Sequence, residues 1–163
     1  MSLEWIIKIL QNNWPMLLRG AGMTLLISII GTLVGTLIGL IVGVIRTIPI
    51  PEKGTKRVFL KIINSILSIY IEFFRGTPMI VQAMVIYYGS AAAFGIDIDR
   101  VLAGLFIVSV NTGAYMSEIV RGGIVSIDKG QFEAAQAIGM NHFQTMINVV
   151  LPQVVRNILP ATG

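Results

Sequence analysis

The stretch GAGMTLLISIIGTLVGTLIGLIVGVI, residues 20–45, decides the fold class because no charged residue interrupts it. It lies between Arg19 and Arg46. A helix needs about 20 predominantly apolar residues to cross a bilayer, so the run predicts a first membrane span over residues 22–45. The run is also longer than the apolar part of a secretory signal peptide, which has about 7–15 residues.

Four glycines recur at every fourth position of this run, namely Gly31, Gly35, Gly39 and Gly43. Residues four apart lie near one face of a helix. Small residues on such a face let a second helix approach closely, which large side chains would prevent. We therefore predict that the first span packs against another helix rather than being surrounded by lipid.

The composition places the chain among multispan helical membrane proteins. Of its 163 residues, 55% are hydrophobic and 12% are charged, whereas a soluble domain carries about 25% charged residues. We assign the net charge of +4 to loop orientation and not to a nucleic-acid partner. The chain has no cysteine, and His142 is its single histidine, so we expect neither a metal site nor a bound cofactor on it.

The charges of the loops predict the orientation. Residues 46–61 carry five basic residues against one acid, which is typical of a cytoplasmic loop. Residues 89–100 carry two acids and one base, and we expect them outside, with the N-terminus. Residues 2–14 have an amphipathic pattern with two tryptophans and predict an interfacial helix, although they could also simply extend the first span.

The second span, residues 59–88, contains a proline at its centre. A straight helix of this length would measure about 45 Å against a hydrocarbon core of about 30 Å. Pro78 lacks an N–H and clashes with the carbonyl of Phe74, so we expect a break near Gly76–Pro78. The break is either an ordinary kink or the lining of a watery cavity, where freed carbonyls are tolerated.

The remaining chain predicts a third span over residues 101–120 and the start of a fourth near residue 145. We expect one transmembrane domain over residues 1–163, apparently lacking its C-terminal spans. The cytoplasmic segment 121–142 contains a short polar helix over residues 131–138, which Asp128 precedes. Its alanines form a small, flat surface, suited to docking on another protein or simply typical of a surface loop.

Three blocks of sequence carry a family resemblance. They are EFFRGTPMIVQAMVIYYG (residues 72–89), NTGAYMSEIVRGGIVSIDKGQFEAAQAIGM (residues 111–140) and VVLPQVVRNILPATG (residues 149–163). In order and spacing they resemble the permeases of ABC importers that carry an EAA loop, in the polar amino acid branch (histidine, glutamine or arginine type). The resemblance covers nearly the whole chain from residue 20 on, and family members usually continue for about fifty further residues.

The resemblance implies a type I importer fold and a set of partners. It implies that Glu133, Ala134, Ala135 and Gly139 form the coupling helix, which lies in a cleft of a separate cytoplasmic ATPase. That partner would bind ATP and Mg²⁺, since this chain lacks the phosphate-binding pattern GxxxxGK[ST]. A second permease subunit, in a homo- or heterodimer, and an extracytoplasmic amino-acid-binding protein would complete the importer in the bacterial inner membrane.

Polar residues inside the spans are the candidates for substrate contact, because ionisable groups cost about 2.5–3.5 kcal/mol each there. We expect a polar amino acid to pass between the broken second span and the third, near Gln82, Asn111, Thr112, Met116 and Glu118. Unpaired carbonyls at the break would bind its ammonium group. Glu118, if free of Arg121, would favour a cationic side chain.

Structural interpretations of the same residues remain open. The amides of Gln82 and Asn111 could join helices through hydrogen bonds. The pairs Glu72–Arg75 and Glu118–Arg121, each three residues apart, could neutralise themselves.

Two other functional classes are alternatives to a transporter subunit. A membrane enzyme is disfavoured because the chain offers no cysteine, no histidine in a span and no serine near a base, so no catalytic residue is predicted. An ion-coupled transporter or a membrane scaffold without an ATPase would explain the broken span and Glu118. Neither would explain the docking helix.

Overall fold

The computed structural model describes residues 3–162, and for residues 3, 94 and 159–162 it describes the backbone only. Residues 1, 2 and 163 of the predicted domain therefore lie outside it, as does the first residue of the predicted interfacial helix. The described chain is helical throughout, with short connections between its helices. This agrees with the predicted all-α class.

The first helix, α1, runs from Leu3 to Ile45 without interruption and has 43 residues. The prediction of a separate interfacial helix over residues 2–14 is therefore wrong, and the N-terminal segment extends the first span. Pro15 lies inside α1. It removes one backbone hydrogen bond, but the residues on either side are mostly good helix formers, so the helix continues through it.

The second span is broken as predicted. Helix α2 covers Thr55–Gly76 and α3 covers Met79–Phe94, each somewhat longer than the pattern indicated. Thr77 and Pro78 between them have extended backbone angles, with ψ values of 144° and 132°. The proline ring forces this, because it disfavours helical geometry for the residue before it.

Helix α4, Arg100–Val125, lies along α1. A Cβ atom added to Gly31 or Gly35 would come within 2.6 Å of Val108 or Thr112, closer than real Cβ atoms approach. Gly39 meets Met116 and Gly43 meets Val120 in the same way. The glycine face of α1 therefore packs on α4, as predicted, and because residue numbers rise together the two helices are parallel.

Helix α2 runs antiparallel to α4. Early in α2, Ser68 lies 3.4 Å from Arg46, which pairs with Glu118 late in α4. Later in α2, the carbonyl of Phe74 accepts from Asn111, which comes earlier in α4. The three spans thus alternate in direction, with the loop after α1 and the end of α4 at the same end of the molecule. At the opposite end, the Asp99 side chain begins α4 by accepting from the N–H groups of Val101 and Leu102.

The end of the molecule that carries the loop after α1 also contains the short helices. Helix α5 covers Lys129–Ala137. A second helical run follows, made of α6 (His142–Thr145), a π-helical turn (Met146–Val150) and α7 (Leu151–Thr162). The main core lies here, where α4 meets this run, and its buried side chains are Val120, Ile124, Ile127, Met146, Val150 and Val154.

By length and hydropathy, α1 and α4 are both able to cross a membrane, and α3 is a shorter apolar helix. Helices α2 and α3 together correspond to the predicted second span, broken at Thr77 and Pro78. The helical run over residues 142–162 corresponds to the predicted start of a fourth span. Its π turn precedes Pro152. A proline has no N–H to donate to the carbonyl four residues earlier, and a wider π turn is one way for a helix to accommodate this.

Candidate functional site

The break between α2 and α3 is held by one buried amide side chain. Gln82, in the first turns of α3, turns back toward the end of α2, and only 4% of it is exposed. Its Nε2 lies 3.1 Å from the Phe74 carbonyl, 3.0 Å from the Thr77 carbonyl and 2.7 Å from the Thr77 hydroxyl. The glutamine side chain thus donates hydrogen bonds to carbonyl oxygens that lose their helical donors at the break.

Asn111 of α4 joins the same network. Its Nδ2 donates to the Phe74 carbonyl at 3.2 Å and to Gln82 Oε1 at 3.1 Å, while the Thr77 hydroxyl donates to Phe73 at 2.7 Å. The expectation of unpaired carbonyls at the break is therefore wrong for these residues. Buried polar groups cost free energy without a partner, and here the protein itself provides the partners.

Glu118 is held between two arginines in the C-terminal part of α4. It forms an ion pair with Arg46, at the end of α1, and another with Arg121 at 2.9 Å. Arg46 also reaches Ser68 of α2 at 3.4 Å. Glu118 is therefore not free of Arg121, contrary to the condition set for a cationic substrate, and the three charged side chains together carry one net positive charge.

Glu72 and Arg75 do not neutralise each other. No ion pair joins them within the described residues, and the Arg75 guanidinium lies over the ring of Tyr115, 5.5 Å from its centre. Such a cation–π contact holds the arginine against α4 and leaves the Glu72 carboxylate exposed. The Glu72 carboxylate is therefore an exposed negative charge, and the positive charge of Arg75 beside it is in contact with Tyr115.

Helix α2 has a continuous polar face. Its members are spaced by four and three residues, which places them along one side of a helix: Lys61, Ser65, Ser68, Glu72 and Arg75. All except Ser68 are exposed. The face runs beside the charged cluster of α4 at one end and Tyr115 at the other.

Four of the five residues expected near the substrate lie on two faces of α4, and the fifth, Gln82, lies on α3. Asn111 and Glu118 face α2 and α3, where Asn111 meets Gln82. Thr112 and Met116 instead pack against Gly35 and Gly39 of α1. The structure therefore brings Gln82 and Asn111 together and separates both from Thr112 and Met116, because neighbouring helical residues point about 100° apart.

The polar helix α5 forms where the sequence predicts it. The Asp128 side chain accepts from the Gly130 N–H at 2.6 Å, and Gly139 ends the segment with a φ of +82°, which suits glycine. Ala134 and Glu133 are exposed, but Ala135 is buried against the protein. The expectation that all its alanines form one outward surface is thus wrong for Ala135.

Arg46, Ser68 and Tyr115 belong to the site, and the sequence reasoning missed them. The spacing of four and three along α2 was a readable signal for Ser68. Arg46 was assigned to the loop on charge alone, and its pairing with Glu118 depends on the contact between α1 and α4. Among residues 3–162 there is no group of three or more side chains able to bind a metal ion.

The geometry defines a helical membrane protein with a polar face along α2, and comparison identifies its family. The chain belongs to the family of binding-protein-dependent transport system inner membrane components, whose sequence pattern matches residues 53–163. It is therefore a transport component with membrane helices, as the resemblance implied.

Individual relatives agree with this assignment. The chain is similar to the glutamine transport system permease protein GlnP of Escherichia coli K12, with 40% identity over 150 residues, 91% of this chain and 64% of the relative. A Rickettsia bellii relative is 45% identical over 92 residues, which are 56% of this chain and 42% of that protein. The chain thus spans less than two thirds of the length of these relatives.

A solved structure has the same arrangement of helices. It is the crystal structure of an amino acid ABC transporter with histidines, 35% identical to this chain with a TM-score of 0.78. The match covers 99% of this chain and 69% of that one. The predicted fold of an ABC importer permease is confirmed.

Proposed function

We propose that this chain is the permease subunit of an ABC importer that moves a polar amino acid across the bacterial inner membrane. Relatives named as glutamine transport permeases support glutamine as the first candidate substrate. The solved relative, a transporter crystallised with histidines, supports the wider class of polar amino acids.

The observation that carries this proposal is the polar face of α2. An ionisable residue inside a span costs about 2.5–3.5 kcal/mol on insertion scales when it faces lipid. Glu72 and Arg75 lie near the break at the end of α2, and Lys61 lies at the other end of the same face. Such a face belongs against protein or water, so it supports a substrate path beside a second permease subunit.

Within this path, we propose that the substrate passes beside Asn111 and Glu118 of α4. Gln82 contributes through its bond to Asn111. Because Arg46 and Arg121 outnumber Glu118, the inner part of the path is positive. It favours a neutral polar amino acid over a cationic one, and the contact of Thr112 and Met116 with α1 leaves them out of the proposed path.

A separate ATPase would dock on α5, and its exposed surface supports this. Glu133 and Ala134 face outward, and the neighbouring Ile138 is 78% exposed. An extracytoplasmic binding protein would deliver the amino acid at the other end, where α3 and α4 are joined. The N-terminus would lie outside.

Reconstitution tests the function. The chain should be purified with its ATPase in vesicles, and ATP hydrolysis measured while single amino acids and the binding protein are added. We expect a polar neutral amino acid, glutamine first, to stimulate hydrolysis, and arginine or lysine to stimulate it less. Stimulation by none of the amino acids, in a complex that hydrolyses ATP, would contradict the proposal.

The docking of the ATPase is tested on the surface of α5. Ala134→Arg places a long charged side chain on the exposed side, and we expect it to release the ATPase during purification while membrane insertion persists. Ala93→Arg, at an exposed alanine of α3 far from α5, is the matched control. Equal ATPase retention by the two variants would remove α5 from the interface.

A further inference from the structure

An apolar groove lies between the end of α1 and the helical run after α5, outside the site described above. Its cavity volume is about 430 Å³, within the usual range for ligand pockets of about 300–1,000 Å³. The lining residues are Leu40, Ile41, Val44, Ile45, Ile48, His142, Phe143, Met146, Ile147 and Leu151. Nine of these ten residues are apolar, and His142 alone brings a polar ring.

One end of the groove adjoins the most basic segment of the chain. Ile48, which lines the groove, belongs to the connection between α1 and α2. Lys53 and Lys56 follow along the same chain, and both are exposed. Five residues span at most about 17 Å when extended, so the Cα atom of Lys53 lies within that distance of the Cα atom of Ile48. Neither lysine forms an ion pair with any part of the chain that the structure describes.

We propose that this groove binds the acyl chain of an anionic phospholipid, whose phosphate lies beside His142 and the basic connection. The apolar walls suit a hydrocarbon chain, whereas an extended peptide would bring N–H and C=O groups that these walls cannot bond. The imidazole can donate to a phosphate oxygen, and exposed lysines attract anionic headgroups. A zwitterionic lipid would bring a compensating positive charge and lose this advantage.

The exposure of the groove residues fits an occupant from the lipid phase. Phe143 is 71% exposed, Ile41 is 62% exposed and Ile147 is 46% exposed, while Met146 beside them belongs to the buried core. The groove therefore has a buried floor and exposed walls. This arrangement holds one chain of a lipid and leaves the second chain in the bilayer.

Tryptophan fluorescence quenching by brominated lipids tests the proposal. The chain has two tryptophans, Trp5 and Trp14, which are replaced by phenylalanine before Phe143→Trp introduces a reporter at the groove. The reporter chain is placed in vesicles of equimolar phosphatidylglycerol and phosphatidylcholine. In one set only the phosphatidylglycerol carries bromine on its acyl chains, and in the other set only the phosphatidylcholine does.

We expect brominated phosphatidylglycerol to quench the groove reporter at least about twice as strongly as brominated phosphatidylcholine, because each lysine attracts anionic lipid. Leu33→Trp is the matched control, because Leu33 is 62% exposed on the side of α1 away from the glycine face. There the two lipids should quench equally, which also shows that the chain is inserted.

Charge variants separate a specific site from general solvation. Lys53→Gln with Lys56→Gln should bring the quenching ratio at the groove to about one, and Lys53→Arg with Lys56→Arg should preserve the preference. The ratio should also fall in about 1 M salt, where the Debye length is about 3 Å. Equal quenching of the groove reporter by both lipids, in the chain with native lysines, would overturn the proposal. Absence of quenching would also overturn it, because it would mean that protein fills the groove.

Discussion

At the scale of residues, the charged and amide side chains between the spans are engaged with one another. Glu118 links α1 to α4 through Arg46, and Gln82 links the two sides of the helix break. In a medium of low dielectric such contacts are strong, and the loss of one partner leaves the other unsatisfied. These side chains therefore hold the arrangement of the helices in addition to any contact with substrate.

A double-mutant cycle measures the link between α1 and α4. We expect Arg46→Gln and Glu118→Gln each to destabilise the chain, and the pair together to show a coupling of about 1–3 kcal/mol, since contacting residues are not additive. Unfolding in detergent micelles by added denaturant gives the free energies. Arg19→Gln combined with Glu118→Gln is the control and should be additive, and additivity of the first pair would refute the ion pair.

The amide network predicts a difference between its two members. Gln82→Leu removes the donor shared by three acceptors at the break, whereas Asn111→Leu removes a donor that shares the Phe74 carbonyl with Gln82. A buried acceptor left without a donor costs about 1–3 kcal/mol, so Gln82→Leu should be the more destabilising of the two. Thermal unfolding in micelles checks the order, and an equal loss would contradict it.

At the scale of elements, the parallel contact of α1 with α4 depends on the glycine face. Each of the four glycines meets one side chain of α4, and the four contacts repeat at the same interval. The backbones come close enough for van der Waals packing, which is a main source of helix association in lipid. An added methyl group therefore acts on the whole contact, because a helix cannot yield at one residue alone.

Two glycines of α1 give a matched test of this contact. Gly39→Ala places a methyl group against Met116 and the backbone of α4, and we expect a loss of about 1–3 kcal/mol from overpacking. Gly22→Ala has nothing within 4 Å and should be neutral or gain up to about 1 kcal/mol in helix propensity. The free energy of unfolding of both variants is measured in micelles. Equal stabilities would argue against close packing at Gly39.

The sequence reveals the elements better than it reveals their partners. The glycine spacing predicts close packing, Pro78 predicts the break, and Asp128 with Gly139 bounds α5, because each of these depends on local backbone chemistry. The side-chain partners depend on long-range contacts. The hydrogen-bonded carbonyl of Phe74 and the pairing of Glu118 with Arg46 depend on how α4 lies against the other helices. The burial of Ala135 depends on how α5 packs on the helical run that follows it. A local sequence pattern contains neither kind of information.

At the scale of the whole molecule, the alternating directions of the spans divide the chain into two ends. One end holds the basic connection, the end of α4, and α5 with α6. The other holds the connection between α3 and α4, with Asp97 and Asp99. This separation of charge is the pattern by which loops are oriented in a membrane, and it predicts that the first end faces the cytoplasm.

Single cysteines test this orientation cleanly because the native chain has none. In intact cells, a membrane-impermeant thiol reagent should label Asp97→Cys and leave Lys53→Cys unlabelled, since both side chains are exposed on opposite ends. Lysed cells provide the control, where both positions should react. Labelling of position 53 alone in intact cells would reverse the orientation.

The parallel packing of α1 on α4 has a consequence for biosynthesis. Arg46 and Glu118 are 72 residues apart, and a ribosome adds about 5–20 residues per second, so α1 waits in the membrane for about 4–15 s before its partner is made. During this interval its glycine face and the arginine beside it have no partner within the chain. A pause in translation between the two helices would lengthen the time in which the nascent chain is open to proteases or to pairing with other nascent chains.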